Sequence, residues 1–451
     1  MKAIIIGAGK VGFSIAQLLS SEEHDVVVIE QDEERSQIID QVLDVKVING
    51  SGASWRVLEN AGVRQADMVV AVTELDELNM ISCLLAKQYG VKTTVARVRS
   101  TDYVETPYFS PESLLGIDLI INPERVTAME IAKIVMNPVA LNVEYYSQGR
   151  VQLMELLVDE NSPLAGVKIN TLDSSNKYNI VAITRQHRTI VPRGDDIVYA
   201  GDHIYIMANT DNMQEVLRTI GVQQRKAEHI IVLGGGRTGY YIAQILEEKR
   251  QPVKIKIIEK DPKRAREVSH LVQNAMVING DGSDLDLLES ENVGQADIYI
   301  AVSNDDKLNL LSSLIARNLG VPKTIAKVKR SDIMPLMQQV GVDVVFSPRL
   351  LTAGAILKYI RRGDIISVTV LGEERAEMIE LIAQPGSIAV NKELYKVKFP
   401  RGAVLGAISR GDTVIIPNGS SVIRAGDRLI VFSIFNSIHK VEKLFINGGK
   451  H

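Results

Sequence analysis

Two glycine clusters carry the chemistry that this residue order offers. Gly7-Ala8-Gly9-Lys10-Val11-Gly12 follows the apolar run Ala3–Ile6 and precedes a helix-like stretch, and Gly234-Gly235-Gly236-Arg237-Thr238-Gly239 repeats the arrangement. A G-x-G-x-x-G loop between a strand and a helix is a pyrophosphate cradle. The first glycine permits the tight turn, the second lets backbone approach the phosphates, and the third lets the helix pack closely. The anion then rests on the free N–H groups and positive dipole end of the helix. An acid completes each pattern. Glu30 stands 18 residues after Gly12, and Glu259 stands 20 after Gly239, each closing the next apolar run. A carboxylate there accepts hydrogen bonds from ribose hydroxyls and repels a 2′-phosphate, which favours NAD-type over NADP-type ligands.

Other candidates admit two readings. Asn49-Gly50 and Asn279-Gly280 follow the third apolar run of each cluster, where an adenine edge could be read. Asn-Gly is equally a favoured turn pair. Thr73-Glu74 and Ser303-Asn304 close the fourth run, at the carboxyl edge where such sheets bind ligands. They could as well be a helix N-cap region. Lys10 and Arg237 lie inside the loops and could neutralise phosphate or be solvated charges. Arg97 and Lys327 close the fifth run and suit a ligand or interface role.

The machinery of a dehydrogenase is missing. Such an enzyme needs a proton donor or acceptor beside the nicotinamide and a substrate pocket. None of the 13 tyrosines has Lys four residues later. No G-x-S-x-G elbow and no G-x-x-x-x-G-K-[ST] phosphate loop occur. The single cysteine, Cys83, lies in a helical stretch and reads as core rather than nucleophile. No catalytic residue is assigned, and the pattern is that of a nucleotide sensor.

The elements that must hold these loops come twice. VINGSGASWRVLENAGVRQADMVVAVT at 47–73 aligns with VINGDGSDLDLLESENVGQADIYIAVS at 277–303, identical at 13 of 27 positions. VAITRQHRTIVPRGDDIVYAGD at 181–202 aligns with GAISRGDTVIIPNGSSVIRAGD at 406–427. The chain is therefore one unit used twice, with a small loop insertion expected beside Gln251-Pro252. Within each unit, short β-branched runs first alternate with helical stretches, as a parallel sheet covered on both faces requires. In the first unit strands are predicted at Ala3–Ile6, Val26–Ile29, Lys46–Ile48, Met68–Ala71, Thr94–Val98 and Asp118–Ile121. A smaller α+β texture follows, with strands predicted at Leu153–Val158, Ile180–Thr184, Thr189–Val191 and His203–Met207. The expected fold class is α/β: two tandem units, each a Rossmann-like parallel-sheet domain followed by a small α+β module. The expected boundaries are 1–123, a connecting helix 124–140 and a module 141–224, then 228–350, a connecting helix 351–363 and a module 364–451.

Composition excludes several classes. With 51 Lys+Arg against 55 Asp+Glu, the chain lacks the basic footprint of a nucleic-acid binder. One cysteine permits no intrachain disulfide, and one cysteine with seven histidines does not make a common structural zinc site. No metal ligands are assigned. No apolar run approaches the ~20 residues of a membrane span, and the start does not read as a signal peptide. A cytosolic location is the expectation.

The order G-x-G-x-x-G, Glu at the second strand, Asn-Gly after the third, Ala-Asp before the fourth, and a small module ending Ala-Gly-Asp resembles the RCK (KTN) family. Ala200-Gly201-Asp202 and Ala425-Gly426-Asp427 are the more specific marks. The resemblance implies a cytoplasmic regulatory subunit on the inner face of the cell membrane. It implies binding of NAD(H) and, in some members, ATP or ADP. It implies a homo-oligomeric, tetrameric ring beneath a membrane potassium transporter of the TrkH/TrkG type, whose ion flux the ring gates. By matching position, Gly7, Ala8, Gly9, Lys10, Val11, Glu30, Thr73, Glu74 and Arg97 would contact nucleotide in the first unit. Gly234, Gly235, Gly236, Arg237, Thr238, Glu259, Ser303, Asn304 and Lys327 would do so in the second. Because Asn304 replaces Glu74, the second site loses a negative charge and would suit a more phosphorylated nucleotide. A stand-alone oxidoreductase and a regulator of a different channel are the competing classes.

Overall fold

A computed structural model describes residues 1–104, 111–172, 177–186, 188–222, 226–249, 252–360, 365–371, 376–434 and 437–445. Gln251, the boundaries at 224 and 363, and the last six residues of the second module lie outside the described residues. The chain divides into Met1–Met129 with His229–Ile360, and Glu130–Glu228 with Arg361–His451.

The first of these holds both nucleotide-type folds. Strands Lys2–Ile6, Asp25–Glu30, Lys46–Asn49, Met68–Ala71, Thr93–Arg97 and Leu119–Ile121 form a six-stranded sheet in the order third, second, first, fourth, fifth, sixth. All its pairings are parallel. His229–Leu233, Lys254–Glu259, Met276–Asn279, Ile298–Ala301, Lys323–Lys327 and Val344–Phe346 build the second sheet in the same order. Runs such as Ile4-Ile5-Ile6 and Val69-Val70 are buried on both faces, which is why these strands read as continuous apolar stretches. The order reverses between the first and fourth strands, and ligands bind at such a crevice.

The two halves are joined directly. Helix Pro348–Ile360 of the second half buries Ala353 and Ile356 in the core of the first. Arg349 Nε donates to Ser14 Oγ at 2.9 Å, and Asn122 Nδ2 donates to the Tyr241 hydroxyl at 3.4 Å. Cys83 sits fully buried in helix Asp76–Gln88, and burial pushes its thiol up to about 12, so it is core.

The second part contains two five-stranded antiparallel sheets. Each opens with a strand that periodicity did not announce, Asn142–Tyr146 and Ile365–Leu371. The modules share a core in which Val181 and Met207 pack with Ile430 and Phe432. At Gly406 a Cβ would fall 2.6 Å from Met207 Sδ and 2.9 Å from Val181 Cγ1, so a larger residue here would require those side chains to shift. The Ala-Gly-Asp marks have a structural cause. Gly201 and Gly426 take φ of +86°, and the following aspartates are buried. Asp202 accepts both arms of the Arg185 fork at 2.7 Å, and Asp427 accepts those of Arg410 at 2.8 and 2.7 Å. Each aspartate also accepts a backbone N–H, from Tyr199 or Arg424. The motif therefore closes a turn.

Candidate functional site

The glycine loops stand where the strand order reverses. Gly7 takes φ of +101° and Gly234 +106°, the left-handed region that favours glycine. A Cβ at Gly12 would meet the Gly7 carbonyl oxygen at 1.9 Å, and one at Gly239 would meet that of Gly234 at 2.0 Å. The third glycine thus clears room for the loop's own carbonyl more than for a neighbouring strand.

Gly9 and Gly236 differ from these. They open helices Lys10–Ser21 and Arg237–Glu248 in extended conformation, and a Cβ on either meets nothing within 4 Å. Among the described residues no side chain caps either helix. The helix starts thus lack a side-chain cap beside space that a Cβ would not fill, so the residues present fit a pyrophosphate there.

Both acids turn toward their loops. Glu30, nearly buried, accepts from Ala8 N at 2.5 Å through Oε2, and from Gln31 N and Asp32 N at 2.7 and 3.0 Å through Oε1. Glu259 accepts from Gly235 N at 2.7 Å and Asp261 N at 2.9 Å. Each carboxylate is thus held against its loop by backbone N–H groups. Gly50 N donates to the Glu30 carbonyl at 2.8 Å and Gly280 N to that of Glu259 at 2.9 Å. Asn279 Nδ2 donates to the carbonyls of Glu259 and Lys260 at 2.9 and 3.1 Å, which is turn chemistry, whereas exposed Asn49 makes no such bond among the described residues.

Contacts join the remaining predicted residues. A Cβ on Gly7 would lie 3.1 Å from Thr73 N, and one on Gly234 2.9 Å from Ser303 N. Thr73 Oγ1 accepts from Leu75 N at 3.3 Å, and Ser303 Oγ accepts from Asp305 N at 3.1 Å. These hydroxyls therefore already serve the following helix start. Glu74 and Asn304 are exposed beside them, as are Lys10 and Arg237 in the loops; Val11 is half-buried and Thr238 buried. Arg97 donates to the Thr73 carbonyl at 2.7 Å, and burial lowers its pKa from the ordinary value. Lys327 is 8% exposed, and burial pulls its ammonium down to about 8.

Three features were missed. Fully buried Asn79 accepts from Thr73 N at 2.9 Å and donates to the carbonyls of Thr73 and Arg97 at 3.1 and 2.8 Å, tying two strand ends together. Asn309 does the same for Ser303 and Lys327, at 2.9, 3.1 and 2.9 Å. The repeat carries both, since Leu78-Asn79 recurs as Leu308-Asn309. The second feature is Arg264, whose Nε donates to the Gly235 carbonyl at 2.7 Å and braces the second loop. Its counterpart Arg35 is exposed, and among the described residues its side chain makes no such bond. The third is charge beside the acid. Glu30-Gln31-Asp32-Glu33-Glu34-Arg35 has four carboxylates and one cation, hence −3; Glu259-Lys260-Asp261-Pro262-Lys263-Arg264 has two and three, hence +1.

Residues 3–123 and 230–348 match the TrkA-N domain, and residues 153–221 and 378–446 match the TrkA-C domain. The chain is 38% identical over 452 residues to Trk system potassium uptake protein TrkA homolog 1 of Methanosarcina mazei, covering 99% of this chain and 100% of that one. The chain belongs to the TrkA family. A second member, the TrkA of Halomonas elongata, is 34% identical, with 99% of each chain covered. Among solved structures, the GsuK RCK domain superposes on this TrkA-family chain with a TM-score of 0.63 at 19% identity, covering 98% of this chain and 94% of that one. The GsuK channel bound to NAD gives 0.63 at 18% identity, covering 98% and 78%. These structural likenesses establish the fold: tandem RCK units built on Rossmann-like sheets. Among the described residues no helix is long and apolar enough to cross a membrane, and no group of three or more His, Cys, Asp or Glu could hold a metal.

Proposed function

We propose that this chain is the regulatory, non-enzymatic subunit of a Trk-type potassium-uptake system, and that it binds nucleotide in both Rossmann halves. The observation that carries the reading is the pairing of a full-length likeness to Trk uptake proteins with two uncapped helix N-termini at glycines with open space above them. The ligand of the first site is NAD(H), held by Gly7, Ala8, Gly9, Lys10 and Val11 at the pyrophosphate and by Glu30 at the ribose. Asn49-Gly50, Thr73-Glu74 and Arg97 line the remainder. Gly234, Gly235, Gly236, Arg237, Thr238, Glu259, Asn279-Gly280, Ser303-Asn304 and Lys327 do so in the second. The charge change from −3 to +1 beside the acid favours ATP or ADP there. The module limits named above frame these sites.

Gating follows from linkage. A nucleotide shifts the assembly only by its differential affinity for two shapes, typically about 1–3 kcal/mol. The assembly is a homo-oligomeric, tetrameric ring under a TrkH/TrkG-like membrane subunit, on the inner face of the cell membrane. Oligomerisation is supported by apolar faces left uncovered in both halves. Leu75, Ile81 and Leu84 are exposed on and beside helix Asp76–Gln88, and in the second half Leu311 is exposed on the corresponding helix Asp306–Asn318, with Leu336 and Val340 on and beside helix Met334–Gln339.

The test is rubidium uptake at limiting potassium in a strain lacking this gene and any redundant system. The wild-type gene restores uptake, and Gly9→Val and Gly236→Val genes do not. Uptake indifferent to the deletion would sink the potassium-transport reading.

A further inference from the structure

Each Rossmann half lends a side chain to the helix that leaves the other half's glycine loop. Ser14 stands five residues after Gly9 on helix Lys10–Ser21, and Tyr241 stands five after Gly236 on helix Arg237–Glu248. The side chains that reach them come from the helix starts that follow the last strands. Arg349 lies in the first turn of Pro348–Ile360, and its Nε donates to Ser14 Oγ at 2.9 Å. Asn122 directly precedes Pro123–Met136, and its Nδ2 donates to the Tyr241 hydroxyl at 3.4 Å.

The two braces are unequal. Asn122 is neutral, its bond is long, and its amide also serves the Arg99 carbonyl and the Arg125 N–H. The Arg349 bond is shorter and carries charge, which roughly doubles the strength of a hydrogen bond. Ser14 passes the contact on, because its hydroxyl donates to the Lys10 carbonyl at 3.1 Å. Arg349 Nε, Ser14 Oγ and the Lys10 carbonyl thus form a chain that ends on the first residue of the helix, and such chains strengthen cooperatively. Apolar packing holds the same two helices together: Ile15, Ala16 and Leu19 share a buried cluster with Ala353 and Ile356. Half-buried Arg349 makes no ion pair among the described residues. Its positive charge therefore stands unneutralised about one helical turn from the first glycine loop.

We propose that Arg349 is a positioning residue of the first nucleotide site: through Ser14 it fixes the start of helix Lys10–Ser21 from the opposite half and adds positive charge beside it. The proposal rests on the nucleotide reading of the first site. It makes the affinity of that site depend on a residue 335 positions from Ser14, on a helix that belongs to the second half.

The experiment is NADH titration of the full chain in a Gly236→Val background, which leaves the first site, with Ser14→Ala, Arg349→Met and both together. Each single variant weakens NADH by about threefold or more, and the double variant weakens it no further than the stronger single one. Ser14→Thr keeps the hydroxyl and holds the starting affinity. In a Gly9→Val background, which leaves the second site, Arg349→Met changes nothing. Arg349→Lys replaces Arg349→Met if that variant fails to fold, since it removes the planar fork and keeps the charge. First-site affinity unmoved by Arg349→Met, losses that add, or an equal loss at the second site overturn the positioning role. A chain that binds no NADH overturns the nucleotide reading and the positioning role with it. The melting temperatures of the same variants tell the two failures apart, because a bridge between Arg349 and Ser14 makes their losses non-additive without any nucleotide.

Discussion

In the first Rossmann half Asn79 ties Thr73 to Arg97; in the second Asn309 ties Ser303 to Lys327 with bonds of nearly the same lengths. Asp76 and Asp306 likewise hold the backbone after the fifth strand in both halves. The groups around the two glycine loops have diverged. Arg264 braces one loop and Arg35 does not brace the other, Glu74 is matched by Asn304, and a fixed guanidinium is matched by a loose ammonium. Duplication has kept the frame and varied the lining. Framework positions should respond alike in the two halves, and lining positions should not.

The largest effects fall on the frame. Asn79→Ala removes the side-chain partner of the half-buried Thr73 N–H and Arg97 carbonyl, a loss of about 3 kcal/mol. Asn309→Ala gives a similar loss by denaturant unfolding; a large gap between the two would break the shared-frame argument.

Lys327 breaks the symmetry in the other direction. Its pKa falls from 10.5 to about 8. The unfolded chain thus binds more protons between those limits, and stability rises with pH across that window. Lys327→Met stabilises at pH 7 by about 3 kcal/mol, the fall from 10.5 to about 8 at about 1.4 kcal/mol per pH unit. The gain shrinks as pH climbs from 8 towards 10. A gain independent of pH would mean that the ammonium is not the cause.

Glu30→Gln and Glu259→Gln each weaken nucleotide at their own site by about tenfold, the equivalent of ~1.4 kcal/mol. Unchanged affinity in either calorimetric titration removes that carboxylate from the ribose. The smallest effect is at the loop brace: Arg264→Met weakens the second site about threefold, near the lower range for one hydrogen bond, and Arg35→Met leaves the first unaffected. Equal responses would erase the distinction between the loops.

Much of the site was legible because it occurs twice. A single G-x-G-x-x-G is weak, but two loops, each followed by an acid and Asn-Gly at matching spacing, specify a parallel sheet and its switch point. The Ala-Gly-Asp marks were readable as pattern only; their cause, a buried carboxylate gripping an arginine 17 residues earlier, needs the fold. Asn79 escaped notice because a polar residue inside a helix looks like any solvated position until its strand-end partners are known. Asn142–Tyr146 lacks clean alternation, so its strand emerges only from pairing with Val151–Leu157.

The measurement that bears most directly on the central claim is the number of nucleotides bound per chain. Gly9 and Gly236 have ordinary φ and open space, so Gly9→Val and Gly236→Val keep the fold while their methyls occupy the pyrophosphate position. Calorimetric titration of wild type with NADH and with ADP should give two sites per chain, and each variant should lose a different one. Two sites surviving in either variant would contradict the account.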